Sequence, residues 1–406
     1  MGRPFVANVR WAALFIAALL LGSSSARSQQ GVTADAIVIG AFGALSGPAS
    51  FAGLAGRDGA MLAIKEINAA GGIHGRKISA IFEDDGNSPG KALAAVKKLI
   101  EQDKIFAIFS VGTSNTVTAT IDYVNEAGLV MYVTFASAPR VTYPFKRNLF
   151  RGGTTESARY GELYSEFIAT YLKAKKVGIL SSRDEYSKNE GNFIQSQLKE
   201  AFDVPVVRTE FNIGDKDFTP QLIELQTAAP EVIAIVGYPA DGAIILRQAR
   251  ELGLKQQIFA GTALVDDTTL KNAGPAAEGM IGFAGLPFLP SSTNPAMVDW
   301  VQRWKKEYPS LPAGRPNTFD VNGYTDMYVF AEGLKNAGPG LTSDKLIKGL
   351  EQLKNFHISE IGIPISFSTK YHIGNMRLQC RRAKDGAWDN VAWESVRESA
   401  ILKRYE

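Results

Sequence analysis

The sequence holds a single cysteine, Cys380, among 406 residues, so no disulfide can form within the chain. Histidine is nearly as scarce. His74, His357 and His372 are far apart and show none of the spacings that hold a metal, which leaves them as surface or capping residues. There is no surplus of charge either: the formal +3 is accounted for by Arg3, Arg10 and Arg27 in residues 1–28, which contain no acid. The neutral remainder lacks the basic face that a nucleic-acid partner requires, and the late cluster Arg377, Arg381, Arg382 and Lys384 reads as a solvated strand face. Long apolar runs are absent with one exception, Trp11 to Leu21. It follows Arg3 and Arg10 and precedes the small residues of Gly22 to Ser28, the layout of an export signal cut near Ala26 or Ser28; a membrane span needs roughly 20 apolar residues. The expected product is a soluble periplasmic protein, free of a lipid anchor because no cysteine stands at the cut. About 378 residues then remain, more than one hydrophobic core usually serves, and two domains are the natural division.

Catalytic motifs are missing as well. The segment Gly86 to Ala92 imitates a phosphate loop, but it is one residue short, ends in Ala where Ser or Thr belongs, and carries Pro89 where backbone donors are needed. No Gly-x-Ser-x-Gly turn surrounds Ser46. The acids Glu83, Asp84 and Asp85 precede a helix start near Pro89, where the helix dipole favours negative charge. A periplasmic hydrolase needs a nucleophile with a base in reach, and the sensor domain of a signalling receptor needs a spanning helix or cytoplasmic module. The sequence displays none of these, so no enzyme, metal or cofactor is expected.

What is present is alternation. Ile105–Phe109, Leu129–Val133, Val177–Leu180, Val232–Val236, Ile258-Phe259 and Met280–Phe283 are short β-rich runs, separated by helical segments near Asn115–Ala127, Asn189–Ala201 and Ala240–Leu252. Such alternation predicts parallel βαβ units with helices on both sheet faces. The first unit has Val38 and Ile39 in its strand, a break at Ser46-Gly47-Pro48, and Ala60, Met61, Ile64 and Ile67 at helical spacing before the stop at Gly71-Gly72. Open parallel sheets bind ligands at the carboxyl ends of their strands. Hydroxyls and aromatics gather at those corners: Ser46, Thr113 to Thr116, Thr134 to Pro139, Tyr186, and Tyr238. Thr113, Ser114 and Asn115 suit a helix N-terminus, whose free N–H groups attract an anion.

The wording of these segments resembles a known family. Leu45-Ser46-Gly47-Pro48 with Ile67-Asn68-Ala69-Ala70-Gly71-Gly72-Ile73-His74-Gly75-Arg76, then Glu83 to Pro89, Phe135 to Pro139, Asp215 to Phe218, and Gly237-Tyr238 with Leu246 to Arg250, are similar to the periplasmic leucine/isoleucine/valine-binding proteins, solute receptors of ABC importers. The likeness runs from about Gly31 to about Ala392. It implies an α/β fold of two doubly wound, Rossmann-like lobes joined by a three-crossing hinge that closes over a ligand. Lobe 1 would comprise 31–155 with 285–362, and lobe 2 156–284 with 363–400. It also implies a monomer that hands a small carboxylate or amino acid to permease subunits.

By the same resemblance, Ser46, Thr113, Phe135 (through its N–H), Ser137, Tyr186, Tyr238 and Ala263 would line the ligand site, with Thr113 and Ser137 on the ligand carboxylate and the two tyrosines as walls. Two departures stand out. Ala263 occupies the position where amino-acid receptors of the family carry the acid for the ligand's ammonium, and the nearest acids are Asp266 and Asp267. Together with the aromatic Phe135, this favours an aromatic or apolar carboxylate over a branched-chain amino acid, which is the alternative. The second departure is the family's small disulfide near the cleft, where Asn87 and Gly112 stand instead of cysteines.

Overall fold

A computed structural model describes residues 29–311 and 315–405; the segment read as an export signal, residues 1–28, lies outside them. The chain opens on the expected βα unit. β1 (Ala36–Gly43) leads into α1 (Ser50–Ala69), which buries Ala60, Ile64 and Ile67. Met61, expected in that apolar set, is 39% exposed, since it lies one residue, about 100°, round from Ala60 and off the stripe. After the helix, Gly71 and Gly72 adopt φ of 103° and 70°, a region that side chains avoid, and the chain turns back.

β2 (Lys77–Asp84), α2 (Pro89–Glu101), β3 (Ala107–Ser110), α3 (Ser114–Glu126), β4 (Met131–Val133) and β5 (Leu149–Arg151) complete a parallel sheet of order β2-β1-β3-β4-β5. β3, β4 and β5 are buried at every residue, as strands with both faces covered must be.

A second sheet follows. α4 (Ser157–Glu166), β6 (Val177–Ser182), α5 (Glu185–Phe202), β7 (Val206–Phe211), α6 (Thr219–Ala228), β8 (Val232–Val236), α7 (Pro239–Glu251), β9 (Gln257–Ala260), α8 (Asp267–Ala273) and β10 (Ile281–Ala284) alternate regularly. The chain then returns to the first lobe with α9 (Pro295–Glu307), α10 (Thr318–Asn336) and α11 (Ser343–Glu351), where Trp300, Trp304 and Phe330 join Phe106 and Phe109 in one core. That core runs on through Ile365 and Phe367. β11 (Gln379–Lys384) adds antiparallel to β10 and β12 (Ala387–Asn390) antiparallel to β11, giving the order β12-β11-β10-β9-β8-β6-β7. The fold is α/β, two doubly wound Rossmann-like lobes.

Three segments, 152–156, 285–294 and 352–378, pass between the sheets. The first and third are laced together where they cross: the Gly374 N–H donates to the Arg151 carbonyl at 2.8 Å and Asn375 Nδ2 donates to the Gly153 carbonyl at 2.9 Å. The Gly153 N–H in turn donates to Asp326 Oδ1 of α10 at 3.0 Å. Asp326 is fully enclosed, and burial pushes its carboxyl up to about 8.

Two surface expectations fail. His372 is fully buried, stacked on Phe150 at 3.7 Å between ring centroids, with Nδ1 2.9 Å from the Leu149 carbonyl; burial lowers its pKa to about 4. Arg381 is buried too, because its guanidinium satisfies the carbonyls of Leu286 and Pro287 at the second crossing. Arg377, Arg382 and Lys384 are exposed, as expected.

Candidate functional site

Glycines bring the first lobe's helices over the strand ends. A Cβ at Gly323 of α10 would lie 2.2 Å from the Gly56 carbonyl of α1, so the two helices touch backbone to backbone. α10 therefore starts directly above the carboxyl ends of β3 and β4, held by a capping box in which Asn317 and Asp320 satisfy each other's backbone N–H groups. Across from it stand the ends of β6, β8 and β9. Between them lies a cavity of about 790 Å³, part of it open to solvent, with walls from both lobes.

Thr113, Phe135, Ser137, Tyr186, Tyr238 and Ala263 all line this cavity. Ser46, the seventh residue singled out in the sequence, does not: it is exposed at the first corner, where its N–H donates to Asp84 at 3.2 Å. The corner acids act as braces. Asp84 also accepts from the N–H groups of Leu45 and Gly86, and Asp85 from that of Asn87. Asn87, one of the two positions where the family's disulfide is missing, ties the same region by hydrogen bonds. It accepts from the Thr113 hydroxyl at 2.7 Å, and its carbonyl accepts from Asn115 Nδ2 at 3.0 Å.

One end of the cavity is built to take an anion. α3 begins there with Thr113 as N-cap, yet the Thr113 side chain does not cap it. Among the described residues, the N–H groups of Ser114, Asn115 and Phe135 have no acceptor. The neighbouring turn is fixed from behind. Ser114 Oγ accepts from the N–H groups of Ser137 and Ala138, each at 3.2 Å, and Ser137 Oγ lies 2.9 Å from Ser157 Oγ. Beneath it Arg151, fully buried, donates to the Ala136 carbonyl, and to the Ala138 carbonyl at 2.6 Å. A guanidinium on one side of this turn and free N–H groups on the other favour negative charge in the cavity.

Much of the remaining wall is aromatic. Phe319 meets Phe135 edge to face at 5.2 Å and Phe51 at 5.5 Å, Phe51 meets Tyr238 at 5.3 Å, and Tyr238 meets Tyr186 at 5.5 Å. The Tyr238 hydroxyl donates to Asp184, the N-cap of α5, at 3.3 Å. The Phe51–Tyr238 pair spans the two lobes, as does a 2.7 Å hydrogen bond from the Thr118 hydroxyl to Glu185.

Neither Asp266 nor Asp267 is free to replace the acid absent at Ala263. Asp266 caps α8 through Oδ1, and its Oδ2 accepts from the N–H and hydroxyl of Thr318 in the opposite lobe, at 2.9 and 2.8 Å. Asp267 accepts from the N–H and hydroxyl of Ser291, both at 2.7 Å.

A cleft of this construction, between two such lobes, has a clear counterpart among known proteins. The sequence pattern of the periplasmic binding proteins matches residues 36–387. The chain belongs to that family. Within it, a leucine-, isoleucine-, valine-, threonine- and alanine-binding protein of Pseudomonas aeruginosa is 28% identical over 329 residues, covering 81% of this chain and 85% of the relative. A leucine-specific-binding protein of Salmonella typhimurium is 30% identical over 295 residues, covering 72% of this chain and 79% of the relative. Among solved structures, a leucine binding protein of Thermotoga maritima superposes with a TM-score of 0.74 at 23% identity, covering 88% of this chain and 98% of that one. All three relatives are binding proteins by name.

Several residues of this periplasmic binding protein that shape the cleft escaped the sequence reading. Thr318, Phe319 and Asn322 line the cavity from α10; the Asn317-x-x-Asp320 capping signal marks that helix start, but nothing local says which cavity it reaches. Arg151 ends a buried strand and has no motif around it. Glu190, on α5 behind Tyr186, is the third omission. Tyr186, Glu190, Ile194 and Leu198 recur every four residues and are all buried, so its place in an otherwise apolar stripe was a legible signal.

Proposed function

We propose that the protein is exported to the periplasm, captures a small amino acid with an apolar side chain in the interlobe cleft, and delivers it as a monomer to the permease subunits of an ABC importer. The observation that carries this reading is the division of the cavity into an anion-binding end and an aromatic body. Burying a carboxylate costs several kcal/mol unless hydrogen bonds replace its water. The free N–H groups of Ser114, Asn115 and Phe135 would supply them, joined by the hydroxyls of Thr113 and Ser137 once these turn from Asn87 and Ser157. Phe135, Phe319, Tyr186 and Tyr238 would enclose the side chain, with Ala263 leaving room beside it. The names of the Pseudomonas and Salmonella relatives support an amino acid of the leucine type.

A second reading, an aromatic or apolar acid without an amine, is favoured by Ala263 itself, since no carboxylate stands at that strand end. Calorimetric titration separates the two. Leucine, isoleucine or valine should bind in a 1:1 ratio and more tightly than 4-methylpentanoate or benzoate; tight binding of the latter pair with silence from the amino acids would establish the second reading.

A further inference from the structure

Behind the cavity wall lies a carboxyl group that no cation among the described residues neutralises. Glu190 is fully buried, and neither of its oxygens makes a well-formed hydrogen bond, although the Tyr186 and Tyr164 hydroxyls lie near enough to act on it. It sits against the end of β9: a Cβ at Gly261 would be 2.9 Å from Glu190 Oε1, two residues before Ala263. The groups that face it are tyrosines and acids. Tyr160 and Tyr164 approach from α4, Tyr186 and Asp184 from the start of α5, and Tyr238 from the end of β8. Among the described residues no cation joins them, and Arg208 of β7, which lies against Gly191 of α5, is turned to Ser181, Asn192 and Glu210.

Tyr160, Tyr186 and Thr262 form the cavity surface in front of Glu190, and the Tyr164 hydroxyl is bonded to that of Thr262. The Tyr186 hydroxyl is itself buried without a partner. A carboxyl and a tyrosine hydroxyl thus lie side by side without a well-formed hydrogen bond, at the corner of the cleft where Ala263 supplies no acid.

We propose that Glu190 is the charge-selecting acid of the cleft, ionising behind the Tyr160–Tyr186–Thr262 wall when a ligand ammonium enters and remaining protonated for a ligand without one. This rests on the amino-acid reading above. The proton lost from Glu190 goes to the buffer, so binding an amine-bearing ligand releases it and binding its deaminated analogue does not. Burial pushes the Glu190 carboxyl up to about 8 in the ligand-free protein, against the weaker pull of the Tyr186 and Tyr164 hydroxyls, so near neutral pH the proton is there to be released.

The test is calorimetry at pH 7 in two buffers of different ionisation enthalpy, with leucine and 4-methylpentanoate as probes and wild type and Glu190→Gln as proteins. Wild type should release close to one proton per leucine and none per 4-methylpentanoate. E190Q should bind leucine at least tenfold more weakly and without proton release, while its affinity for 4-methylpentanoate changes less than threefold. Adding Ala263→Glu to E190Q should restore part of the preference for leucine. Leucine binding in E190Q with the wild-type affinity overturns the role of Glu190 alone, whereas wild type that ignores leucine overturns the amino-acid reading and Glu190's selection together. The wild-type proton count needs no variant, so it decides even where E190Q fails to fold: leucine binding without proton release refutes the proposal.

Discussion

Replacing Thr318 by valine removes one hydroxyl that crosses the cleft. In the structure that hydroxyl donates to Asp266 Oδ2 at 2.8 Å, beside the Thr318 N–H at 2.9 Å, and Asp266 is fully buried. Valine keeps the shape and the N–H, so the carboxylate loses one of two donors on that oxygen and retains its α8 cap. A hydrogen bond to a charged group contributes about 1.5–3 kcal/mol, and the surviving N–H places this one at the lower end. Since the bond joins α10 of one lobe to α8 of the other, it should exist only when the lobes are closed, and its loss should fall on closure. At about 1.4 kcal/mol per tenfold change, ligand affinity should drop roughly 10- to 30-fold by calorimetric titration with leucine. Thr318 also lines the cavity, so a double-mutant cycle with Asp266→Ala is needed to isolate the bond. Once Asp266 is gone, Thr318→Val should cost little more. Strictly additive losses, or a Thr318→Val variant whose affinity stays within twofold of wild type, would refute the latch.

Arg151→Met should destabilise the ligand-free protein in urea unfolding by about 1–3 kcal/mol for each buried carbonyl it leaves without a donor, Ala136 and Ala138, while Glu156 keeps its pairing with Arg404. Phe319→Ala removes the ring that meets both Phe135 and Phe51, and leucine titration should show binding weakened by about 1–3 kcal/mol with near-native unfolding. Asp326 is raised from 3.8 to about 8 by burial, so the folded state holds a proton that the unfolded state has lost. Its contribution to stability is complete below about pH 4 and declines until pH passes 8, and Asp326→Asn should flatten that part of the curve of stability against pH.

Which parts of this architecture could be read from the sequence follows from how far each residue's partners lie along the chain. Buried parallel strands such as Val232–Val236 are continuous apolar runs closed by turn residues, and the expected bounds of that strand coincide with β8. The cavity-lining corners after β3, β4, β6 and β8 were legible for the same reason: strand ends in a doubly wound sheet face one crevice, and Thr113, Phe135, Ser137, Tyr186 and Tyr238 follow those ends, whereas Ala263 after β9 was placed only by the family resemblance. Phe319 could not be placed, because it reaches the cleft only through the packing of α10 on α1, more than 250 residues earlier in the chain. His372 and Arg381 misled for a related reason. Polar side chains read as exposed until the distant groups that satisfy them, the Leu149 carbonyl for one and the Leu286 and Pro287 carbonyls for the other, are in view. Glu190 differs, since its helical spacing placed it on the buried face and its chemistry argued for the surface. Such conflicts between pattern and residue type are expected at functional sites.

The central claim, that a small amino acid is held between the lobes with its carboxylate at the start of α3, is tested most directly by a crystal structure of the protein grown with leucine. The account predicts one leucine in the cleft, its carboxylate on the N–H groups of Ser114, Asn115 and Phe135, its side chain among Phe135, Phe319 and Tyr238, and its ammonium facing the wall in front of Glu190. A cleft without leucine at saturating concentration, or a leucine reversed so that its carboxylate meets that wall, would contradict it.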